Sequence, residues 1–413
     1  MSLASFFYAN ENNIIALVII GIILAFVIIN RKKFDVEGKV VFIYRTKIGL
    51  NIMKRFSAYK RFFNIYGILG VVAGLGSVIL FLYLIIWYYL KIALISPSKA
   101  LPAASFVLPF TGIPYVIGVP VFYWLIALIV VVVFHEASHG IIALSKKVKV
   151  KHSGFGFFLG FLPLAFVEPD EKQFEKIKTF DRLKVLAAGS FTNLLMGLIF
   201  LVLIVGISNY IIAGGLVSYA PIYMNIVGVQ TGSPANLSGL TAGTTITKIN
   251  NISFLNSGQF DSFMLAIKPN QTLSLTSSNG NVYDMVSIYN SSIKNTYHGY
   301  IGVYAQAYYS SYQQTFGLLG LGLPPNAFPI NNPASQSLVW IDGLLVWISI
   351  IALGLAIANF LPIFYITDGC KMFYEFMGLI FKDKKRQLKA TNAIIIAFSA
   401  LFIFLLIPPS LFL

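Results

Sequence analysis

Six long apolar stretches constrain this chain more than any other feature. They lie near 13–30, 65–92, 119–145, 184–213, 339–362 and 391–411. A bilayer core about 30 Å thick takes roughly 20 apolar residues of helix to cross, and each stretch is near that length. In lipid every backbone N–H and C=O must find its partner within the protein. The expected fold class is therefore a polytopic α-helical membrane protein of about six spans. Of the 413 residues, 57% are hydrophobic and only 11% charged, against about 25% charge in ordinary globular chains. The first stretch has no basic segment ahead of it, and "NRKK" follows at once. It is expected to be a retained span and not a cleaved signal peptide.

The formal net charge is +15, which raises nucleic acid as a partner. The placement of the charge excludes that reading. Of 30 Lys and Arg, ten lie in 31–61, nine in 146–184 and five in 382–389. These are the loops after the first, third and fifth stretches. By the positive-inside rule all three face the cytoplasm, so the other loops and both termini face outward. The basic excess is an orientation signal and a contact for anionic lipid. One cysteine, Cys370, allows no internal disulfide.

Residues 1–118 are expected to hold the two N-terminal spans, with 31–64 as a basic segment lying on the membrane surface. Residues 119–215 form the first part of a membrane core. Within it, "SGFGFFLGFLPLAFVE" at 153–168 is apolar but broken by Gly and Pro. It reads as a re-entrant β-hairpin, because irregular backbone at membrane depth needs protein or a water-filled cavity around it. Residues 216–305 turn rich in Ser, Asn, Thr and Gly with short alternating runs, the pattern of a small β-rich domain outside the membrane. It carries N-x-[ST] sequons at Asn236, Asn251, Asn270 and Asn290. Residues 306–337 read as a linker, and 338–413 as the rest of the core with the last span.

The chemistry centres on "FHEASHG", Phe134 to Gly140, at the end of the third stretch. Ionisable groups at that depth are costly and ask for a function. His135 and His139 are four apart, on one helix face, so both imidazoles can hold one metal ion. Glu136 between them can serve as a general base. A catalytic zinc takes a third protein ligand and keeps one position open. The candidate carboxylates are Asp342, Asp368 and Glu375. His139 lies about six residues, or roughly 9 Å, from the basic end of its helix, and that depth favours Asp368. Cys370 is the alternative soft ligand. Asn193 lies at similar depth and is read either as an oxyanion or substrate donor or as a link between helices. Asn359 has the same two readings. His152 and His298 are assigned to neither role.

Taken together, "HEASH", "GSFTN" and "NFLPIFYITDG" resemble, in order and placement, the H-E-x-x-H, G-P-x-x-N and N-x-x-P…D-G elements of the site-2 protease family of intramembrane zinc metalloproteases. The resemblance implies zinc held by His135, His139 and Asp368, with Glu136 as base and Asn193 and Asn359 at the substrate or oxyanion. It implies that Gly154, Phe155 and Gly156 pair with an unwound substrate strand. "GVQTGSPANLSGLTAGTTITKINN" is similar to a PDZ domain, with Thr244 in place of the usual Asp. Two departures stand out. Ser190 replaces Pro, and one extra residue separates Asn359 from Asp368, so a bulge or longer break is expected there.

The expected function is thus an intramembrane endopeptidase with one Zn2+ per chain. It would be a multi-pass protein of the cell membrane. Its partners would be membrane lipid and transmembrane substrates, trimmed beforehand or not, cut near the cytoplasmic side and screened by an external PDZ-like domain. The alternatives are a metal or proton transporter using the same His and Glu groups, and a non-catalytic receptor with a PDZ-like domain.

Overall fold

Helix formation follows the apolar stretches, and the helices outrun them. The computed structural model describes residues 10–38, 40–95, 102–110, 113–219, 221–289, 298–308, 322–323 and 327–407. Six of its helices are long and apolar enough to cross a membrane. In chain order the elements that matter for the site begin with α1 (Glu11–Ile29), β1 (Asp35–Glu37), β2 (Val41–Thr46), α2 (Leu50–Ser57) and α3 (Lys60–Ile95). Next come α4 (Val121–Ser145), β3 (Val150–Phe158), β4 (Leu162–Pro169) and α5 (Thr179–Ala213). The last are α6 (Pro333–Phe360), α7 (Asp368–Ile380) and α8 (Lys384–Leu405). Large apolar side chains such as Ile22, Ile79 and Val202 point outward from these helices, as lipid-facing residues must in a bilayer. The chain is an integral, multi-pass membrane protein.

The chain divides into two compact units, Met1–Leu203 with Leu344–Leu413, and Ile204–Gly343. In the first, β3 and β4 pair as an antiparallel hairpin, but it is not alone. Residues 35–46, expected as a membrane-surface segment, fold as a second hairpin. The four strands make one sheet in the order β1-β2-β3-β4. Val41 through Thr46 pair with Phe158 through Ser153. Ile43 is buried while Tyr44 beside it is exposed, as neighbours on a strand point to opposite faces, and pairing with β3 holds the segment extended. Arg45 then binds carboxylates from both edges of the sheet, Asp35 and Glu37 on one side and Glu168 on the other.

Polar links tie the helices of this unit. Lys146, just past α4, and Lys184 on α5 both donate to Asn64 on α3 and pair with Asp181. Deeper in, Thr192 of α5 donates to Ser138 of α4 and is 2.5 Å from the Tyr66 hydroxyl of α3. Within a bilayer such hydrogen bonds help hold neighbouring helices.

In the second unit a five-stranded antiparallel sheet forms from β5 (Tyr223–Val229), β6 (Thr245–Ile249), β7 (Thr272–Ser277), β8 (Val282–Val286) and β9 (Val303–Tyr308), in the order β8-β7-β6-β5-β9. Its core is Ile226, Leu240, Ile249, Leu273 and their neighbours. The stretch expected as a linker is partly structured: Ala327–Pro329 pairs with Val217–Tyr219, and α6 already begins at Pro333. Most of 306–326 and the sequon at Asn290 lie outside the described residues. In this unit Ser208 donates to the buried Asp342 at 2.7 Å.

Candidate metal centre

Three side chains from two distant stretches of sequence meet at one point. His135 and His139, one turn apart on α4, bring their Nε2 atoms 3.2 Å from each other. The Oδ2 of Asp368 lies 3.2 Å from the first and 3.1 Å from the second. All three side chains are largely buried. Three lone-pair donors facing one another repel unless a cation lies between them. Ligand atoms about 2.0–2.1 Å from a tetrahedral zinc ion stand about 3.3–3.4 Å apart, so this donor set fits zinc closely.

The outer nitrogens of both rings are held as a metal ligand requires. His139 Nδ1 is 2.7 Å from the Val185 carbonyl, which only an N–H can approach. Nε2 is then left with its lone pair for a metal. His135 Nδ1 is 3.1 Å from Asn193 Nδ2, a position the amide oxygen takes when the amide is turned over. The other atom of that amide has no partner among the described residues, so the ring alone decides its orientation. With the amide oxygen toward the ring, Nδ1–H donates and Nε2 is again free. Asn193 is buried and spent on His135 and does not line the cavity in front of the metal ligands.

Asp368 reaches the histidines because α6 stops at Phe360 and α7 starts at Asp368 itself. The break between the two helices falls where a bulge or longer break was expected. Phe364 and Tyr365 both take the left-handed conformation, φ 55° and 62°, at a steric cost that side chains rarely accept. Thr367 ties the break by donating to the Leu361 carbonyl at 2.6 Å. Gly369 is required next, because a Cβ there would lie 2.4 Å from the Phe360 carbonyl oxygen.

Glu136 accepts a hydrogen bond from the Val167 amide of β4 at 3.1 Å. It opens, with His139 and Asp368, onto a cavity of about 550 Å³ that also meets Arg45, Glu168 and Lys371. The sheet therefore positions the candidate base, and the cavity supplies room for water.

Other candidates are placed elsewhere. Glu375 pairs with Arg182 at 2.7 Å. The Cys370 thiol is buried against Thr367 and the Ile363 carbonyl. Asp342 bonds Ser208, and His152 bonds Glu168. Asn359 is half-buried one residue before the end of α6, without a side-chain hydrogen bond among the described residues. Gly154, Phe155 and Gly156 need a correction: they lie on β3, whose two sides are taken by β2 and β4. Among the described residues, the strand with one side unpaired, and next to Glu136, is β4.

Sequence reasoning carried Gly189 only as the first residue of "GSFTN", with no role of its own, and did not single out Val167. A Cβ at Gly189 would lie 2.4 Å from His139 Nε2 and 2.6 Å from His135 Nε2. Its signals are its place in "GSFTN" and the small-residue run "AAGS" around it. Helix α5 runs unbroken through Ser190, so the absence of Pro displaces nothing that reaches His135.

Fold and site together define a multi-pass helical membrane protein with a His-His-Asp metal centre. The sequence matches peptidase family M50 over residues 123–406. The chain belongs to that family, whose members are zinc metalloproteases. It is also 35% identical over 166 residues to the uncharacterized protein MJ0971 of Methanocaldococcus jannaschii. That match covers 38% of this chain and 41% of the relative.

Proposed function

We propose that this chain is a zinc-dependent intramembrane endopeptidase, holding one zinc ion through His135, His139 and Asp368. The observation that carries the reading is the triangle of donors with Glu136 beside it, since a purely structural site has no use for an adjacent base. Zinc in such a centre acts as a Lewis acid and lowers the pKa of water to about 7. Glu136 takes the proton of the attacking water and returns it to the leaving nitrogen. Water adds across the C–N bond, leaving a carboxylate and an amine. The Val167 amide fixes Glu136 toward the cavity, and Asn193 positions His135.

The substrate is a transmembrane segment of another protein. A peptide bond in a helix is shielded, so the segment must unwind, and an unwound strand adds most readily to a free sheet edge. We assign that edge to β4. An apolar cavity of about 370 Å³, lined by Ile23, Leu125, Ile129, Val133, Phe155 and Ala165, adjoins it and suits apolar side chains. Asn359 is placed at the substrate. The clustered Lys and Arg orient the active site toward the cytoplasm and the β-rich domain outward. That domain, PDZ-like in its sequence, screens substrates at its own free edges.

The test is Glu136→Gln against a single-span substrate in liposomes. The variant is expected to keep its zinc and lose cleavage. Cleavage at the wild-type rate would remove the mechanism, and ion flux without cleavage would turn the reading to a transporter.

A further inference from the structure

Helix α2 has three distinct faces, and two of them have no protein partner among the described residues. The inner face is Met53 and Ser57, both buried, with Leu50 packed toward Ile142 and Val185. An outward apolar face carries Ile52 and Phe56, exposed by 63% and 49%, with Ile48, 76% exposed, just ahead of the helix. The spacing of four keeps Ile52 and Phe56 on one side of the helix. Next in the chain Tyr59, Phe62, Ile65 and Leu69 are likewise exposed, the last three on the span α3, which starts at Lys60. Beside these apolar residues stand Lys47, Lys54, Arg55, Lys60 and Arg61, all exposed. None of the five makes an ion pair or side-chain hydrogen bond among the described residues. Other cations of the unit, namely Arg45, Lys146, Arg182 and Lys184, are matched to carboxylates.

We propose that α2 is a bilayer-surface helix whose basic face binds anionic phospholipid headgroups, and that this seating braces the catalytic helix. Continuity decides the occupant. The exposed apolar residues run on from α2 into a span, so the adjoining cations sit where headgroup phosphates lie. An acidic soluble protein would match the charge and leave the apolar residues without a partner.

The brace follows from the inner face. Gly140 leaves a notch on α4, one residue past His139. A Cβ there would lie 2.5 Å from Met53 Sδ and 3.0 Å from a Val167 methyl. Met53 and Val167 share that notch, and the Val167 amide holds Glu136. A helix pinned on the membrane surface therefore backs the strand that orients the base.

The limb concerning catalysis rests on the protease reading, and the binding limb does not. The test places Phe56→Trp protein in nanodiscs containing brominated phosphatidylglycerol or brominated phosphatidylcholine at equal fractions. Tryptophan quenching beyond that of the wild-type chain is expected to be several-fold stronger with the anionic lipid. The preference should fall in about 1 M salt, where the Debye length is about 3 Å. It should disappear on adding Lys54→Gln, Arg55→Gln, Lys60→Gln and Arg61→Gln. Equal quenching by the two lipids overturns the proposal, and the salt arm decides should the multiple variant fail to insert. Cleavage of a single-span reporter is expected to rise several-fold from neutral to anionic nanodiscs in the wild type and to stay at the neutral-lipid rate in the charge variant. A lipid preference with lipid-independent cleavage overturns the brace. A lipid preference with no cleavage in any lipid upholds the surface site and removes the protease reading.

Discussion

Gly189 of α5 faces His139 of α4 so closely that a methyl group in place of its hydrogen would sit 2.4 Å from Nε2. The metal ligands are thus packed against bare helix backbone. Gly189→Ala puts a carbon where the ion has to lie. Bound zinc is expected to fall by about tenfold or more, in the range of changes around metal ligands. Alanine favours helix by up to about 1 kcal/mol over glycine, so the helix itself does not suffer. Metal analysis alongside circular dichroism checks this, and full zinc occupancy in the variant would refute the packing.

Asn193 is expected to act through His135. Asn193→Ala removes the acceptor for the ring N–H and should weaken zinc about 10- to 100-fold. Asn193→Asp, which keeps an acceptor there, should recover part of the loss. Chelator competition measures both. If the alanine variant binds zinc as tightly as wild type, Asn193 is a helix link only.

The third ligand separates cleanly from its rivals. Asp368→Asn is expected to lose zinc, whereas Cys370→Ser and Glu375→Gln should retain it, because their side chains are engaged with Ile363 and Arg182. Zinc retained in Asp368→Asn would break the triangle.

The sheet carries a pH-dependent tie at Glu168. Burial pushes its carboxyl up, but the hydrogen bonds from His152 and Arg45 win and hold it below its ordinary value. A depressed carboxylate pKa stabilises the fold above the unfolded value, about 4.3. That contribution is lost as pH falls through the lower folded value. The group is about two-fifths exposed, so the effect is small. Glu168→Gln should lower the thermal midpoint slightly at pH 7, and the gap to wild type should close toward pH 3. A gap that persists unchanged at pH 3 would assign it to packing.

Much of this was legible because lipid leaves the chain few choices. The six spans follow from apolar length, and the histidines from a spacing of four. Their ends were not legible: α3, α5 and α8 start at Lys60, Thr179 and Lys384, where polar turns continue the helix beyond the apolar window. The hairpin at 35–46 was hidden because its partner strand lies more than 100 residues on, beyond any local pattern. Asp368 was favoured by depth, but its reach depends on two left-handed residues that no propensity predicts. Gly189 and Val167 act through proximity alone, which only the fold supplies.

The separation of the ligands also sets an order of assembly. Asp368 is 229 residues from His139. During synthesis the histidine helix is made well before its third ligand, which emerges only after the whole stretch between them. β2 likewise waits for β3, and Val167 cannot orient Glu136 before that hairpin closes. A half-made chain therefore carries the two histidines without a finished centre. On the proposed reading, hydrolysis waits for Asp368 as well, so the polypeptide made between His139 and that residue, and its insertion machinery, are spared a premature protease.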